Sequence, residues 1–292
     1  MELMKHIPDK SVDMILCDLP YGTTQNEWDK VLPLDELWIQ YERIIKDNGV
    51  IVLTSDSVFT AKLIMSNPKL YRYSLVWNKV GTTGFLNANR MPLRQHEDIL
   101  VFYKNLGTYN PQMITGKERT KGGKKFKNNG CYGDYKEIPK ETYNQYYPTS
   151  IITVSNAIQD NKEHSTQKPV ELFRYLIKTY TNEGELVLDN CIGSGTTAVA
   201  CKQANRNFIG IELSQEYVDI ANKRLQQDNL HAFFQTQGVL TEPSPNRNLK
   251  DLSTDKSQIS ANAETSLNSD IIGNFKNPLV SREQLNKQGE TQ

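Results

Sequence analysis

The sequence has few cysteines and no long apolar segment. Its four cysteines show no C-x-x-C spacing, which disfavours a metal site and a disulfide framework and favours a reducing compartment. No stretch approaches the roughly 18 apolar residues of a membrane-spanning helix. Residues 1–9 also lack the apolar region of a secretion signal. We therefore expect a cytoplasmic protein that binds no metal and contacts no membrane.

The sequence also lacks a net charge of either sign. Its 292 residues include 34 Lys and Arg and 34 Asp and Glu, so the total charge does not indicate a polyanionic partner. The length allows one large domain or two smaller ones. A polar site for such a partner would have to come from local clustering of charge.

Short apolar runs alternate with segments of helical spacing over most of the chain. The apolar runs predict buried strands at 12–17, 50–53, 71–77, 99–103, 186–189 and 207–212. The helical spacing predicts helices at 34–46, 57–65, 168–180, 196–204 and 214–227, the first of them ended by Asn48-Gly49. This alternation predicts an α/β fold in which helices cover both faces of a mostly parallel sheet.

The first candidate site is Asp18-Leu19-Pro20-Tyr21, directly after the first predicted strand. Proline fixes its own φ and biases the preceding residue towards an extended conformation. The result is a stiff corner with a carboxylate, a backbone carbonyl and an aromatic ring, at the sheet edge where ligands bind in open α/β folds. Such a corner could hold a flat heterocycle by its amino group, or it could be a strand end with a packing tyrosine.

The second candidate site is the segment 189–198, which joins a predicted strand to a predicted helix. Within it, Gly193 to Ala198 fits G-x-G-x-x-A, and Glu212 ends the next strand, where an acid can bind ribose hydroxyls. These features indicate an adenosine-bearing cofactor. Asp189 would repel the pyrophosphate of a dinucleotide but would attract the ammonium and sulfonium of S-adenosylmethionine, which therefore fits better. A tight turn without a ligand is the alternative.

A basic segment lies between the two candidate sites. Residues 78–127 contain ten Lys and Arg against three acids, a charge of +7 inside a neutral chain. Basic residues interleaved with Tyr and Phe suit a polyanion with stackable bases, although a solvated surface loop gives the same composition. The predicted phosphate contacts are Lys117, Arg119, Lys121, Lys124, Lys125 and Lys127.

Three motifs, in this order, resemble those of the amino-group DNA methyltransferases, which act on adenine N6 or cytosine N4. They are Asp18 to Tyr21, His164 to Pro169 and Asp189 to Thr197, and the order is that of the permuted class. The resemblance implies a Rossmann-like S-adenosylmethionine-dependent methyltransferase fold. It implies catalytic roles for Asp18, Leu19 (through its carbonyl), Pro20 and Tyr21, which would stack on an extruded base. It implies cofactor contacts from Lys168, Pro169, Asp189, Gly193, Ser194, Gly195, Thr196, Thr197 and Glu212.

The resemblance also implies a division of the chain into a catalytic half (1–77), a target-recognition insertion that binds double-stranded DNA (78–163) and a cofactor-binding half (164–235). Beyond about Val239 the composition turns to Ser, Asn, Thr, Lys and Gln, which cannot bury enough apolar surface to fold, so we expect a polar tail without regular structure at 236–292. The sequence leaves open whether the protein forms a homodimer and whether it has a cognate restriction endonuclease.

The expected function is methylation of the exocyclic amino group of adenine in DNA, with base flipping. Asp18 at the first motif position favours adenine over cytosine N4 by analogy with the family. Two other classes stay open at this point. A nicotinamide-dependent oxidoreductase would account for the G-x-G-x-x-A fit, and a DNA-binding module without catalysis would account for the basic segment.

Overall fold

The computed structural model describes residues 1–23, 29–121, 140–156, 167–236 and 279–281. The strands are β1 (Val12–Cys17), β2 (Ile45–Ser55), β3 (Tyr71–Thr83), β4 (Arg94–Phe102), β5 (Ile114–Lys121), β6 (Glu141–Tyr146), β7 (Ile151–Thr153), β8 (Leu186–Asp189), β9 (Asn207–Glu212) and β10 (Leu279–Ser281). The helices are α1 (Leu34–Ile44), α2 (Ser57–Ser66), α3 (Val170–Tyr180), α4 (Thr196–Gln203) and α5 (Gln215–Thr236). Short 3-10 turns lie at Glu2–His6 and Phe85–Asn87.

Eight of the described strands form one sheet in the order β10-β9-β8-β1-β2-β4-β3-β7. Every neighbouring pair in this order is parallel except the two pairs that include β4. The predicted mostly parallel α/β sheet is therefore confirmed. Because β1 lies next to both β2 and β8, it occupies the middle of the sheet, and its side chains are buried on both faces.

Two apolar cores cover the two faces of the sheet. One core packs α3 and α4 against alternate residues of the strands, among them Leu16, Val52 and Val187. The other core packs α1 and α2 against the remaining residues, among them Ile15, Ile51 and Leu188. The alternation of these neighbours between the two cores follows from the two-residue period of a strand.

The end of the first helix differs from the prediction. Helix α1 ends at Ile44, and β2 begins at Ile45, so Asn48-Gly49 lies in a strand and does not end the helix. A Cβ on Gly49 would lie 2.9 Å from the carbonyl oxygen of Asp13 in the neighbouring β1 and 2.7 Å from the side chain of Ile45. Gly49 is therefore required by the close approach of two backbones, since any side chain there would clash.

Regular structure extends further into the predicted insertion than the sequence indicated. Strand β3 continues to Thr83, and β4 pairs with β2 inside the main sheet. Strands β5 and β6 form a separate antiparallel pair. Their residues are largely exposed and polar, which is why no apolar pattern predicted them.

Most of the predicted tail lies outside the described residues. Within it, Leu279–Ser281 forms β10, which pairs in parallel with Gly210 to Glu212 of β9. The prediction of a tail without regular structure is wrong at these three residues. No helix in the described ranges is long and apolar enough to cross a bilayer.

Candidate active site

The two candidate sites open on the same edge of the sheet. Strands β1 and β8 are hydrogen-bonded parallel neighbours, with Met14 opposite Val187 and Ile15 opposite Leu188. Their carboxyl ends therefore lie side by side, with Asp18 following β1 and the loop 190–195 following β8. This arrangement brings together the two motifs that are 171 residues apart in the chain.

The carboxylate of Asp18 is held by three donors. Its Oδ1 accepts hydrogen bonds from the Tyr21 hydroxyl, at 2.9 Å, and from the hydroxyl of Thr54 in β2. Its Oδ2 accepts a hydrogen bond from Nζ of Lys168 at 2.8 Å. A carboxylate has about four acceptor positions, so one position stays available on Oδ2 for a substrate.

Leu19 presents only its backbone to the cleft. Its side chain is 3% exposed and packs in the core on the α1 side of the sheet. The predicted role of Leu19 requires its carbonyl alone, which agrees with this burial. The half-buried Pro20 follows and keeps the corner stiff.

The ring of Tyr21 stacks on Phe59 of α2, with 5.2 Å between the ring centroids and 29° between the planes. Nζ of Lys168 lies 5.4 Å from the centroid of Tyr21. Burial, and next the charge of Asp18, raises the pKa of the Tyr21 phenol well above its ordinary value. The hydroxyl therefore remains a donor to Asp18, and the half-buried ring is the part left for stacking on a base.

The turn after Tyr21 is fixed by an aspartate that the sequence analysis missed. The carboxylate of Asp29 accepts hydrogen bonds from the backbone N–H of Gly22 at 2.8 Å and of Thr23 at 2.9 Å. Asp29 is 7% exposed. An acid a few residues after a Gly-containing turn is the only sequence signal for this contact, and it is too common to be specific.

Lys168 joins the corner at Asp18 to the loop 190–195. Its ammonium binds Asp18 and lies 3.3 Å from Oε2 of Glu97, while its backbone carbonyl accepts a hydrogen bond from the Thr196 hydroxyl at 3.3 Å. Burial acts to lower the pKa of the Lys168 ammonium, but the charges of Asp18 and Glu97 outweigh it and raise this pKa. Lys168 therefore stays charged at the centre of the site.

Glu97 and Lys79 extend this arrangement away from the cleft. Nζ of Lys79 lies 3.0 Å from Oε1 of Glu97, and Lys79 is only 5% exposed. Asp18, Lys168, Glu97 and Lys79 thus form a row of alternating charges drawn from four separate segments. The sequence analysis missed Glu97 and Lys79, because they lie just outside the strands predicted at 99–103 and 71–77.

Asp189 is enclosed by its own loop. It is 2% exposed, and its carboxylate accepts hydrogen bonds from the backbone N–H of Cys191 at 3.0 Å and from the Thr197 hydroxyl. Burial raises the pKa of Asp189 to about 6. Asp189 therefore shapes the loop through direct contacts, and it would act on a ligand through its charge.

The two glycines of the loop have different tasks. Gly193 has a φ of +50°, and nothing lies within 4 Å of the position that a Cβ would occupy. Gly195 has a φ of +84°, and its Cβ would lie 2.7 Å from the Cβ of Ala221 in α5. Gly193 thus borders open space into which a ligand can enter, while Gly195 permits α5 to pack against the start of α4.

The hydroxyl groups of the loop hold it in place. Ser194 donates to Gln167 at 3.1 Å, Thr196 donates to the Lys168 carbonyl and Thr197 donates to Asp189. All three hydroxyl residues are buried. Pro169 is the N-cap of α3 and ends the segment 167–169, with which Ser194 and Thr196 form their hydrogen bonds. Because the three hydroxyls are used within the protein, the predicted cofactor contacts of these loop residues would be made by their backbone.

Glu212 connects the loop to the end of β9. Its Oε2 accepts a hydrogen bond from the backbone N–H of Gly193 at 2.9 Å. Its Oε1 accepts from the backbone N–H groups of Leu213 at 2.8 Å and Ser214 at 3.0 Å. The half-buried carboxylate keeps an acceptor position on Oε2 beside Gly193, where ribose hydroxyls are predicted to bind.

These residues fit S-adenosylmethionine. Open space borders Gly193, Glu212 supplies an acceptor at its side, and the loop is followed by the N-terminus of α4. The carboxylates of Asp18, Asp189 and Glu212 favour a ligand with positive charge at its amino-acid end.

The hairpin of β5 and β6 carries three of the predicted phosphate contacts. Lys117, Arg119 and Lys121 alternate along exposed β5. The Arg119 guanidinium lies 5.7 Å from the ring of Tyr146, and Nζ of Lys121 lies 5.4 Å from the ring of Tyr143. Basic groups and aromatic rings therefore meet on one hairpin. Lys124, Lys125 and Lys127 lie outside the described residues.

A separate hollow of about 720 Å³ has no part in this site. None of the predicted site residues lines it. Five tyrosines contribute to its lining, which are Tyr73, Tyr103, Tyr109, Tyr175 and Tyr180. Burial raises the phenol pKa of Tyr73, Tyr175 and Tyr180. These hydroxyls stay neutral, so they supply no charge for ligand recognition or acid–base chemistry.

A family model described as DNA methylase, of the N6/N4 type, matches residues 12–223. The type II methyltransferase M.HpaI of Haemophilus parainfluenzae is 28% identical over 78% of this chain and 72% of its own length. The DNA adenine methyltransferase YhdJ of Escherichia coli is 28% identical over 76% of this chain and 79% of its own length.

Solved structures give the same result for the fold. The SAM complex of M1.HpyAVI is 26% identical, with a TM-score of 0.53 over 76% of this chain and 94% of the other. The cytosine-N4-specific PvuII methyltransferase is 14% identical, with a TM-score of 0.55 over 81% of this chain and 90% of the other. The second likeness concerns the fold alone.

Proposed function

The chain belongs to the DNA methylases that act on exocyclic amino groups, and on this premise we propose that it methylates adenine N6 in DNA with S-adenosylmethionine. The observation that supports this most directly is the position of Lys168. One residue binds the catalytic carboxylate through Nζ and the cofactor loop through its carbonyl. A methyl donor held by the loop would therefore face a base held by Asp18.

The chemistry requires help from the corner because an aromatic amine is a poor nucleophile. Its lone pair is delocalised into the ring, and the remaining acceptor position of Asp18 and the carbonyl of Leu19 would favour a pyramidal nitrogen. The carboxylate would also stabilise the positive charge that develops on that nitrogen. S-adenosylmethionine, when bound, supplies the activated methyl group.

The hydrogen bonds around Asp18 prepare it for this role. Tyr21, Thr54 and Lys168 fix the orientation of the carboxylate before a substrate arrives. Such preorganisation removes the reorganisation that water would need in the transition state. The amine must leave the base stack to reach Asp18, and the Tyr21 ring would then stack on the extruded base.

The choice of adenine over cytosine rests on Asp18 and on likeness to relatives. Asp at the first motif position favours adenine by analogy with the family, and YhdJ is named as an adenine methyltransferase.

The likeness to M.HpaI, named as a type II methyltransferase, leads us to propose a cognate restriction endonuclease as a functional partner. Double-stranded DNA would bind across the hairpin of β5 and β6.

The test is nucleoside analysis after methyl transfer. Unmethylated plasmid DNA is incubated with the purified chain and S-adenosylmethionine, digested to nucleosides and analysed by mass spectrometry. We expect N6-methyladenine with the unaltered chain and none with Asp18→Ala. Asp47→Ala, which removes an exposed aspartate, is the control and should keep full activity. N4-methylcytosine would overturn the choice of base, and full activity of Asp18→Ala would overturn the catalytic assignment.

A further inference from the structure

The connection between β3 and β4 is a protruding turn with apolar side chains at its tip. Residues 80–92 are all exposed. Leu86 is 99% exposed, Phe85 is 81% exposed and Met91 is 57% exposed. Large apolar side chains grouped in this way on a surface mark a site of interaction.

The tip has a defined conformation although it packs against no core. Gly84 has a φ of +85°, and residues 85–87 form a 3-10 turn. The backbone N–H of Asn87 donates to the Gly84 carbonyl at 2.9 Å, and the N–H of Arg90 donates to the Asn87 carbonyl at 2.8 Å. The turn therefore holds Phe85 and Leu86 outwards without burying them.

The turn rises from the edge of the sheet that carries the active site. Strand β3 runs in the same direction as β1 and β2, so its carboxyl end points to the side of the sheet where Asp18 lies. At the base of this connection, Glu97 of β4 lies 3.3 Å from Nζ of Lys168. Arg94, three residues earlier and about 10 Å further along the strand, pairs with Asp56 at the end of β2.

The charge of the turn suits a polyanion. Residues 80–94 contain Arg90 and Arg94 and no acidic residue. Arginine side chains beside an apolar tip can bind the phosphates that flank a base step.

We propose that Phe85 and Leu86 form a wedge that enters the DNA base stack at the position left by the target nucleotide. This inference rests on the proposed function. A flipped base leaves its neighbours unstacked on one face, and apolar side chains inserted between base steps replace part of that stacking. The wedge rises from the same edge of the sheet as the cleft that would receive the extruded base, so one binding event would supply both interactions.

The test uses two duplexes that contain the methylation site mapped by sequencing modified bases in plasmid DNA. In one duplex the target base is paired, and in the other it faces an abasic position, which lowers the cost of flipping. The variant is Phe85→Ala with Leu86→Ala. The control is Ile39→Ala with Met65→Ala, which removes two apolar side chains that are 65% and 72% exposed on α1 and α2. Single-turnover methyl transfer is measured on both duplexes.

We expect the wedge variant to be about 10- to 100-fold slower than the unaltered chain on the paired duplex. On the abasic duplex, the rate of the wedge variant should lie within about threefold of the rate of the unaltered chain. The control variant should have the same rate as the unaltered chain on both duplexes. Equal rates of the wedge variant and the unaltered chain on the paired duplex would overturn the wedge. An equal loss on both duplexes would also overturn it.

The oligomeric state of the protein in solution shows whether Phe85 and Leu86 enter DNA or form an interface between copies of the chain. A change of oligomeric state in the wedge variant, measured by light scattering, would assign these residues to contact between copies and overturn the proposal. If the unaltered chain methylates neither plasmid DNA nor any duplex, the proposed function itself fails, and that result differs from a failure of the wedge alone.

Discussion

Nζ of Lys168 donates a hydrogen bond to Oδ2 of Asp18 at 2.8 Å across 150 positions of sequence. Since the Lys168 carbonyl also accepts a hydrogen bond from Thr196 at the start of α4, a single residue sets the spacing between the predicted catalytic corner and the predicted cofactor loop. The distance between a methyl donor and an amine is the quantity to which such a transfer is most sensitive.

Replacement of Lys168 by Met should reduce turnover more than replacement of Lys79 by Met. Both lysines are buried and both lie beside Glu97, but only Lys168 contacts Asp18. We expect Lys168→Met to lower kcat about 100-fold, because Asp18 then loses the donor that orients its Oδ2. Steady-state kinetics test this, and equal losses in the two variants would contradict it.

Substitution of the two loop glycines should have different effects, on cofactor affinity at Gly193 and on stability at Gly195. A methyl group at Gly193 would enter open space, so Gly193→Ala should weaken S-adenosylmethionine binding at least about tenfold, or about 1.4 kcal/mol. A methyl group at Gly195 would meet Ala221, so Gly195→Ala should lower the free energy of unfolding by about 2 kcal/mol. Calorimetric titration and urea unfolding measure the two effects. The reverse pattern would show that the loop is not the cofactor site.

Cofactor affinity should depend on pH through Asp189. Burial raises its pKa to about 6, so the carboxyl is ionised above that pH and protonated below it. Its attraction for a cationic ligand should therefore be complete at pH 7–8 and lost as the pH falls through 6. Titration calorimetry at several pH values should show the dissociation constant rising below pH 6. An unchanged pH profile in Asp189→Asn would contradict the assignment.

The raised pKa of Asp189 should affect the stability of the fold in the opposite direction, so that stability falls as the pH rises. A raised carboxyl pKa means that the folded chain binds the proton more tightly than the unfolded chain. The contribution of Asp189 to the free energy of unfolding is therefore complete below its ordinary pKa and is lost as the pH rises through about 6. A bound cation would offset this loss, so the stabilisation by S-adenosylmethionine should grow between pH 5 and 7.

Neutralising the basic face of β5 should flatten the salt dependence of DNA binding. Removing one phosphate-binding cation lowers the slope of log K against log salt by about 0.9. The triple change of Lys117, Arg119 and Lys121 to Ala should therefore lower the slope by up to about 2.7. The control changes three exposed lysines of the main fold to Ala, Lys62, Lys69 and Lys178. Equal slopes in both triple variants would assign the β5 residues to a solvated surface.

The central strands were predictable because burial on both faces leaves a continuous apolar run. Strands β1, β8 and β9 have the predicted bounds. The carboxyl ends of parallel neighbours meet at one edge, so the meeting of Asp18 with the loop after Asp189 was predictable as well. Both motifs lie at the edge of the sheet where open α/β folds usually bind ligands.

The contacts that complete the site could not be predicted in the same way. Glu97, Thr54 and Asp29 act through pairings between distant segments, and a single sequence gives no signal for such pairs. Strands β5 and β6 are stabilised by cross-strand contacts on a solvated surface, where polar residues at most positions hide the two-residue period. The predicted domain boundaries and the residue assignments in the site stay predictions.

Strand β10 shows that part of the polar C-terminal region adds an edge strand to the main sheet. Leu279–Ser281 lies along Gly210 to Glu212 and covers the outer side of β9, the strand that ends in the predicted ribose acceptor. If the chain were cut after α5, the backbone N–H and C=O groups on that side would be open to any extended peptide. A shortened chain would thus be prone to self-association at the border of its predicted cofactor site.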